Sequence, residues 1–142
     1  MQLSFKELPN GIRIVHQEIT HTRMVHCGFI LNIGSRDESQ EQEGLAHFWE
    51  HMAFKGTHKR KSFHIINRLE SLGGELNAYT TKEKICFYTS ILDIHIEKAV
   101  ELLIDIVFNS KFARVAYNVR FQSCNKPLLQ KNSDYLKYHQ LN

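Results

Sequence analysis

The sequence predicts an α+β fold in which an antiparallel or mixed sheet carries helices on one face. The first observation is the order of the elements, which reads strand, strand, strand, helix, helix, strand, strand, helix. The second is an Asn10-Gly11 pair between two apolar strand-like stretches, which is typical of a tight hairpin. The third is the clear helical spacing of apolar residues in three separate segments, with no internal repeat.

The N-terminal region is predicted to form three strands. Residues 3–8 and 12–19 read as two strands joined at Pro9-Asn10-Gly11, because Asn-Gly adopts the positive φ values that a hairpin turn requires. Residues 25–33 form a third apolar strand. Residues 34–38 then break the pattern and predict a loop that leads into the first helix.

The first helix is predicted over residues 44–55, where two stripes share the helical spacing. One stripe is apolar and is expected to face the core: Leu45, Phe48, Trp49 and Met52. The other lies on roughly the opposite face: His47, Glu50, His51 and Phe54. Glu41 and Glu43 are expected near the positive end of this helix, and Gly56 suits its C-terminal cap.

The remaining elements follow the same reasoning. Ser62 is expected to cap a second helix that ends at Gly73-Gly74, with four residues inward: Ile65, Ile66, Leu69 and Leu72. Residues 75–81 and 85–92 read as a strand pair around Lys82-Glu83. Asp93 is expected to cap a long third helix with five residues on one face: Ile96, Ala99, Val100, Leu103 and Val107.

Composition limits the protein class. A chain of 142 residues with 23% charged residues is an ordinary globular chain of at most one domain. No apolar run is long enough for a membrane span and no signal or transit segment is visible, so the expected location is cytoplasmic, without a membrane partner. Through Phe112 there are 13 basic and 14 acidic residues, and after it 5 basic and one acidic, Asp134. No nucleic-acid-reading motif accompanies the basic tail, so no nucleic-acid partner is expected.

The His-x-x-Glu-His pattern on the first helix is the candidate site. Residues at i and i+4 lie on one side of a helix, so His47 and His51 can converge on one metal ion. Glu50 lies close enough to hold a metal-bound water. The alternative is a solvated helix face, since nine histidines make a chance match less rare and polar residues opposite an apolar stripe usually face water.

Three motifs together resemble the insulinase/pitrilysin family of zinc peptidases, which includes the β-subunit of mitochondrial processing peptidase and bacterial relatives. The resemblance covers residues 1–112 and lies in three stretches: Gly34-Ser35-Arg36-Asp37-Glu38; residues 44–57, with the His-x-x-Glu-His pattern; and Leu72-Gly73-Gly74-Glu75-Leu76-Asn77-Ala78-Tyr79-Thr80. Their order along the chain is that of the family, which makes them more specific than His-x-x-Glu-His alone.

The resemblance implies a zinc-dependent metalloendopeptidase. It makes His47 and His51 ligands of one Zn²⁺ ion and Glu50 the general base that takes a proton from the attacking water. It also implies that residues 77–80 (Asn77, Ala78, Tyr79 and Thr80) form an edge strand on which substrate lies as an added strand. The implied partners are an extended peptide or unfolded polypeptide substrate and a second family subunit or domain.

The sequence departs from the family after Phe112. The family's third zinc ligand is a glutamate about seventy-five residues beyond the second histidine, near position 127, where this chain has Pro127 and no acid between Asp105 and Asp134. Cys124, Asp134 or His139 could substitute for it only by accident of folding. We therefore expect residues 1–112 to be the N-terminal part of an insulinase-like domain, truncated and inactive or weakly active. Residues 113–142 are then a divergent, poorly ordered basic tail, as a frameshift would produce.

Two other interpretations remain open. The chain could be a non-catalytic peptide-binding subunit or module of the same family, although such subunits typically lose the histidine motif. It could also be an unrelated α+β protein in which the His-Glu-His face is merely structural. Substitution of Glu50 by glutamine separates these cases, because only the enzyme interpretation predicts a loss of turnover.

Overall fold

The structure is a computed structural model, and it describes residues 3–111. The chain divides into two compact units, which are described separately. The described part of the first is a hairpin in residues 3–22, and that of the second is a helix–sheet unit in residues 23–111. The tail expected over residues 113–142 lies outside the described residues.

The hairpin pairs β1 (Leu3–Glu7) with β2 (Arg13–Gln17) in antiparallel register, with Phe5 opposite Val15. Its turn depends on Gly11, whose φ of 83° lies in the left-handed region that glycine adopts without cost. The Asn10 side chain accepts a hydrogen bond from the Ile12 amide at 3.2 Å. The predicted hairpin and its Asn-Gly turn are therefore confirmed.

The helix–sheet unit contains a three-stranded antiparallel sheet in the order β3-β5-β4. The strands are β3 (Met24–Leu31), β4 (Glu75–Thr80) and β5 (Ile85–Leu92). The helices are α1 (Leu45–Ala53), α2 (Ser62–Glu70) and α3 (Ile96–Asn109). Within residues 23–111, β4 is an outer strand of the sheet and pairs only with β5.

The helices pack on the sheet face that carries Phe87 at its centre. The Phe87 ring is fully buried and meets Trp49 and Phe54 of α1 at centroid distances of 5.9 and 6.1 Å. Phe29 of β3 meets Phe108 of α3 at 5.7 Å. Alternate residues of β3 point to the opposite, exposed face. The predicted fold class, a sheet with helices packed on one face, is confirmed.

The buried faces of the helices differ from those expected from the sequence, and on α1 the buried face is shifted by about one residue position. On α1 the fully buried residues are Ala46 and Ala53, whereas Phe48 of the predicted apolar stripe is 49% exposed. Because alanine is small, the α1 backbone can approach the sheet closely along this face, and the bulky Phe48 falls beside it. Ile66 of α2 and Val100 of α3 were expected to face the core, and both are exposed.

Three predicted helix caps are also wrong. Asp93 was expected to cap α3, but the N-cap position of that helix belongs to His95. Ser62 is the first residue of α2, and the N-cap position belongs to Lys61, which makes no side-chain cap. α1 ends at Ala53 and its C-cap is Phe54, so Gly56 lies beyond the helix and pairs instead with Lys61. In the part of the chain that the structure describes, no helix is both long enough and apolar enough to span a bilayer.

Candidate metal centre

Helix α1 brings the two histidines of the predicted site together. The Nε2 atoms of His47 and His51 lie 2.9 Å apart, and the ring centroids are 4.4 Å apart with the rings nearly perpendicular. Two imidazoles that bind one tetrahedral zinc at about 2.0–2.1 Å place their nitrogens about 3.3 Å apart. The pair therefore fits two neighbouring positions of a zinc site with a shift of a few tenths of an ångström.

Glu50 lies on the inner side of the same helix. Its side chain is 17% exposed, whereas that of His47 is 66% exposed. Glu50 is less exposed than His47 because it lies one turn from both Ala46 and Ala53, on the buried face of the helix. Its Oε2 lies 3.7 Å from Nδ1 of His47, so the carboxylate stands directly beside the imidazole pair.

A third metal ligand is not found in residues 3–111. These residues contain no group of three or more His, Cys, Asp or Glu side chains placed to hold a metal ion. The region around position 127 and the candidate substitutes Cys124, Asp134 and His139 all lie outside the described residues. The described residues thus provide two candidate ligands, His47 and His51, and an adjacent carboxylate.

A cleft of about 290 Å³ joins the His-Glu-His face to the outer strand β4. Residues of both predicted parts of the site line it: Glu50 and His51 of the metal-binding helix α1, and Asn77 and Ala78 of the substrate strand β4. The rest of the lining comes from the end of α1 and from α2: Phe54, Lys55, Ser62 and Ile66. Ser62 and Ile66 were expected as a helix cap and a core residue, and they line this cleft instead.

The other two residues of the predicted substrate strand lie outside the cleft lining. Tyr79 is on the exposed sheet face, 6.0 Å from the Tyr88 ring, and its pKa is raised, first by a side-chain hydrogen bond with Cys86. Its phenol is therefore neutral at pH 7. The Thr80 hydroxyl reaches the Ala46 carbonyl at 3.5 Å and so faces the start of α1. The cleft thus brings Asn77 and Ala78 together with Glu50 and His51, and Tyr79 and Thr80 are not part of its lining.

Glu38 is a site-supporting residue that the sequence patterns missed. Its Oε2 accepts a hydrogen bond from the Gly44 amide at 2.7 Å, and its Oε1 accepts one from the Ala46 amide at 2.8 Å. The expected acids Glu41 and Glu43 are exposed. The available signal was Gly44 at the N-cap position, because glycine has no side chain and leaves the first amides to an acceptor from elsewhere.

A buried ion-pair network ties the segment after α1 to α3. Asp105 accepts hydrogen bonds from the Arg60 guanidinium at 2.5 Å, from the Thr57 hydroxyl at 2.8 Å and from the Asn109 amide at 3.2 Å. Arg60 also pairs with Glu101 at 2.7 Å. Burial acts to lower the pKa of Arg60, but the hydrogen bonds to Asp105 and Glu101 and their negative charges together raise it above its usual value. An acid within the apolar run of α3 was the sequence signal for this network.

Comparison with known proteins gives a consistent result. The family described as insulinase (peptidase family M16) matches residues 13–134. An uncharacterised zinc protease of Mycobacterium leprae is 42% identical over 106 residues, or 75% of this chain and 24% of its own. The probable β-subunit of the mitochondrial-processing peptidase of Arabidopsis thaliana is 40% identical over 111 residues, or 78% of this chain and 21% of its own.

Further matches extend the alignment and support the fold. An uncharacterised zinc protease of Rickettsia bellii is 38% identical over 134 residues, or 93% of this chain and 32% of its own. The crystal structure of a protease from Helicobacter pylori superposes with a TM-score of 0.74 at 22% identity, covering 85% of this chain and 29% of that chain, and so supports the fold alone. The family match runs past residue 112, where the motif resemblance ends. The chain spans 21–32% of the length of the three sequence relatives.

Proposed function

The chain belongs to the insulinase family of peptidases, and on this premise we propose that its His-Glu-His face is the catalytic centre of a zinc-dependent metalloendopeptidase. The observation that carries the proposal is the cleft in which Glu50 and His51 meet Asn77 and Ala78 of the outer strand. The cleft thus places one histidine of the potential metal-binding pair and a carboxylate beside β4, which is an outer strand within residues 23–111. These are the parts that hydrolysis of an extended peptide requires.

In this proposal His47 and His51 hold the ion through their Nε2 atoms, which already lie 2.9 Å apart. Bound zinc would lower the pKa of a coordinated water to about 7 and polarise the scissile carbonyl. Glu50 accepts the proton of the attacking water and delivers it to the leaving amine. The low exposure of its side chain limits the orientations of this carboxylate and keeps it beside the histidines.

We propose that the substrate is an extended peptide or unfolded polypeptide that adds to the outer edge of β4. Main-chain groups of residues 77–80 would pair with it, and Asn77 and Ala78 border the cleft where the scissile bond would lie. Strand addition depends mainly on backbone hydrogen bonds, so we expect broad sequence tolerance. A second family subunit or domain remains the proposed macromolecular partner.

The activity of the chain by itself is a separate part of the proposal. A catalytic zinc site normally uses three protein ligands, and residues 3–111 contribute two. We therefore propose that this chain alone binds zinc weakly and has little or no peptidase activity. Residues 1–112 are proposed as the N-terminal part of an insulinase-like domain, and residues 113–142 as a divergent basic tail.

Two measurements test the function. Zinc affinity is determined by competition with a chromophoric chelator for the wild type, His51→Ala and Glu50→Gln, and hydrolysis of a fluorescence-quenched peptide is followed at saturating zinc. We expect His51→Ala to lose zinc binding, and Glu50→Gln to keep it while any turnover is lost. Glu43→Gln is the matched control, because Glu43 is an exposed acid just before the same helix. Zinc binding that survives in the His51→Ala variant would contradict the assignment.

A non-catalytic peptide-binding module is the second candidate. The observation that favours it is the intact outer strand beside an ion site with only two ligands in the described residues. It predicts that wild type and Glu50→Gln bind a labelled peptide equally, with no cleavage by either.

The cytoplasmic location stays a prediction, which cell fractionation tests.

A further inference from the structure

The start of α1 depends on a residue outside the helix. Its N-cap is Gly44, with a φ of 85° and no side chain to accept a hydrogen bond from the first helical amides. Glu38 takes this role from six residues upstream, with one carboxylate oxygen on the Gly44 amide and the other on the Ala46 amide. Both oxygens are thus occupied by the first turn, one residue before His47.

The segment that carries Glu38 is itself fixed to the end of the sheet. The Ser35 amide donates to the Thr81 carbonyl at 3.1 Å and the Arg36 amide to the Lys82 carbonyl at 2.8 Å. Gly34 touches the same turn so closely that a Cβ there would lie 2.4 Å from the Lys82 backbone. Residues 34–38 are therefore docked against the turn that connects β4 to β5.

These two sets of contacts form a continuous connection from β4 to α1. The turn after Thr80 holds the 34–38 segment, and that segment holds the first amides of the helix through Glu38. The Ala46 carbonyl also receives the Thr80 hydroxyl, a longer contact at 3.5 Å in the same direction. The cleft lies between the two elements that this connection joins.

We propose that Glu38 is a positioning residue, which sets the distance between the His-Glu-His face of α1 and the strand β4. The inference rests on the proposed function, since it assigns Glu38 a part in holding the catalytic carboxylate opposite the strand that binds substrate. A displacement of about 1 Å between reacting groups can lower a rate about a hundredfold. A residue that controls this distance acts on turnover without touching the substrate.

The test uses Glu38→Gln, which keeps the size of the side chain. The amide oxygen accepts only one of the two N–H bonds, and its NH₂ group opposes the other N–H. Glu43→Gln, which removes an equal charge nearby, is the control. Backbone amide chemical shifts of the metal-free chain are compared with the wild type, so this readout is independent of activity.

We expect Glu38→Gln, and not Glu43→Gln, to shift the amide signals of Asn77 and Ala78 and the imidazole signals of His51 across the cleft. Shifts confined to residues 43–47, with an unchanged cleft, would reduce Glu38 to a local cap and overturn the proposal. If Glu38→Gln does not fold, Glu38→Asp repeats the comparison, because its shorter side chain keeps the charge and must draw the helix start toward the 34–38 segment.

A second readout follows peptide cleavage at saturating zinc. We expect Glu38→Gln to lower kcat/KM about tenfold or more while zinc affinity stays within about twofold, because the two histidines share one helix and move together. An equal loss of zinc affinity and kcat/KM would indicate fraying of α1 and would contradict positioning. A wild type without turnover would remove only this second readout, because little or no activity is already proposed for the chain alone, and the chemical shifts would then decide the role of Glu38.

Discussion

Substitution of Asp105 by alanine should cost the chain a large part of its stability. The Asp105 side chain is 4% exposed and that of its partner Arg60 is 15% exposed, so the pair is largely shielded from water. Removing the carboxylate leaves one guanidinium nitrogen and the hydroxyl of Thr57 without their acceptor. Breaking a buried pair from one side costs about 3–5 kcal/mol, because the remaining charge stays buried.

Arg60 keeps its second partner, Glu101, so the lower end of that range applies. A loss of about 3 kcal/mol lowers the Tm of a domain of about 100 residues by about 12–24 °C. Thermal unfolding followed by circular dichroism measures this shift. Glu101→Ala is the matched control, since the Glu101 side chain is 53% exposed and an exposed pair contributes about 1 kcal/mol or less.

A further variant separates the charge from the packing. Replacing both members, as in Arg60→Met with Asp105→Leu, removes the buried charges together and should be less damaging than Asp105→Ala alone. The reasoning is refuted if Asp105→Ala lowers the Tm no more than Glu101→Ala does. It is also refuted if the double variant is the least stable of the series, because the stability would then depend on the charges themselves.

Two other predictions concern pH and close packing. The hydrogen bond from Arg60 lowers the pKa of Glu101 in the folded chain, although some burial opposes this shift. The ionised Glu101 side chain therefore contributes its full stabilisation above the unfolded pKa of about 4.3. This stabilisation is lost as the pH falls through the lower folded pKa. Glu101→Gln should therefore show a flatter dependence of stability between about pH 5 and pH 3 than the wild type, and an equally steep loss would contradict the assignment. Gly34→Ala places a Cβ 2.4 Å from the Lys82 backbone and should cost about 1–3 kcal/mol by overpacking, measured by urea unfolding. The control is Ser35→Ala, because Ser35 is an exposed neighbour and the variant keeps its backbone hydrogen bonds. Equal stability of the two variants would contradict the prediction, because it would show that the turn can move to accommodate the added Cβ without cost.

Local patterns predicted the elements well because their causes are local. The Asn10-Gly11 turn, the three helices and the strand pair around Lys82-Glu83 each follow from residues within one short window. The same holds for His47 and His51, whose convergence needs only an i, i+4 spacing on a helix. The family resemblance then predicted an edge strand over residues 77–80, and within residues 23–111 β4 is an outer strand.

Features that depend on distant partners could not be read in this way. Glu38 caps α1 across a loop, whereas a sequence pattern can indicate only acids directly before the helix. Asp105 is explained by Arg60, which lies 45 residues earlier in the chain. The buried face of α1 was misplaced because the large residues were assumed to face inward, whereas the small Ala46 and Ala53 are fully buried and Phe48 is exposed.

The outer strand β4 has a consequence for how the protein can be handled. Unpaired N–H and C=O groups along a strand bind any extended chain, including the same strand of another copy, and many proteins block such edges with charged residues. Only Glu75 carries a charge within Glu75–Thr80, so this strand has little protection of its own. Because no other strand of residues 23–111 pairs with this edge, we expect concentrated samples to aggregate edge to edge, and a short peptide that covers β4 should act as a stabilising additive during purification and storage.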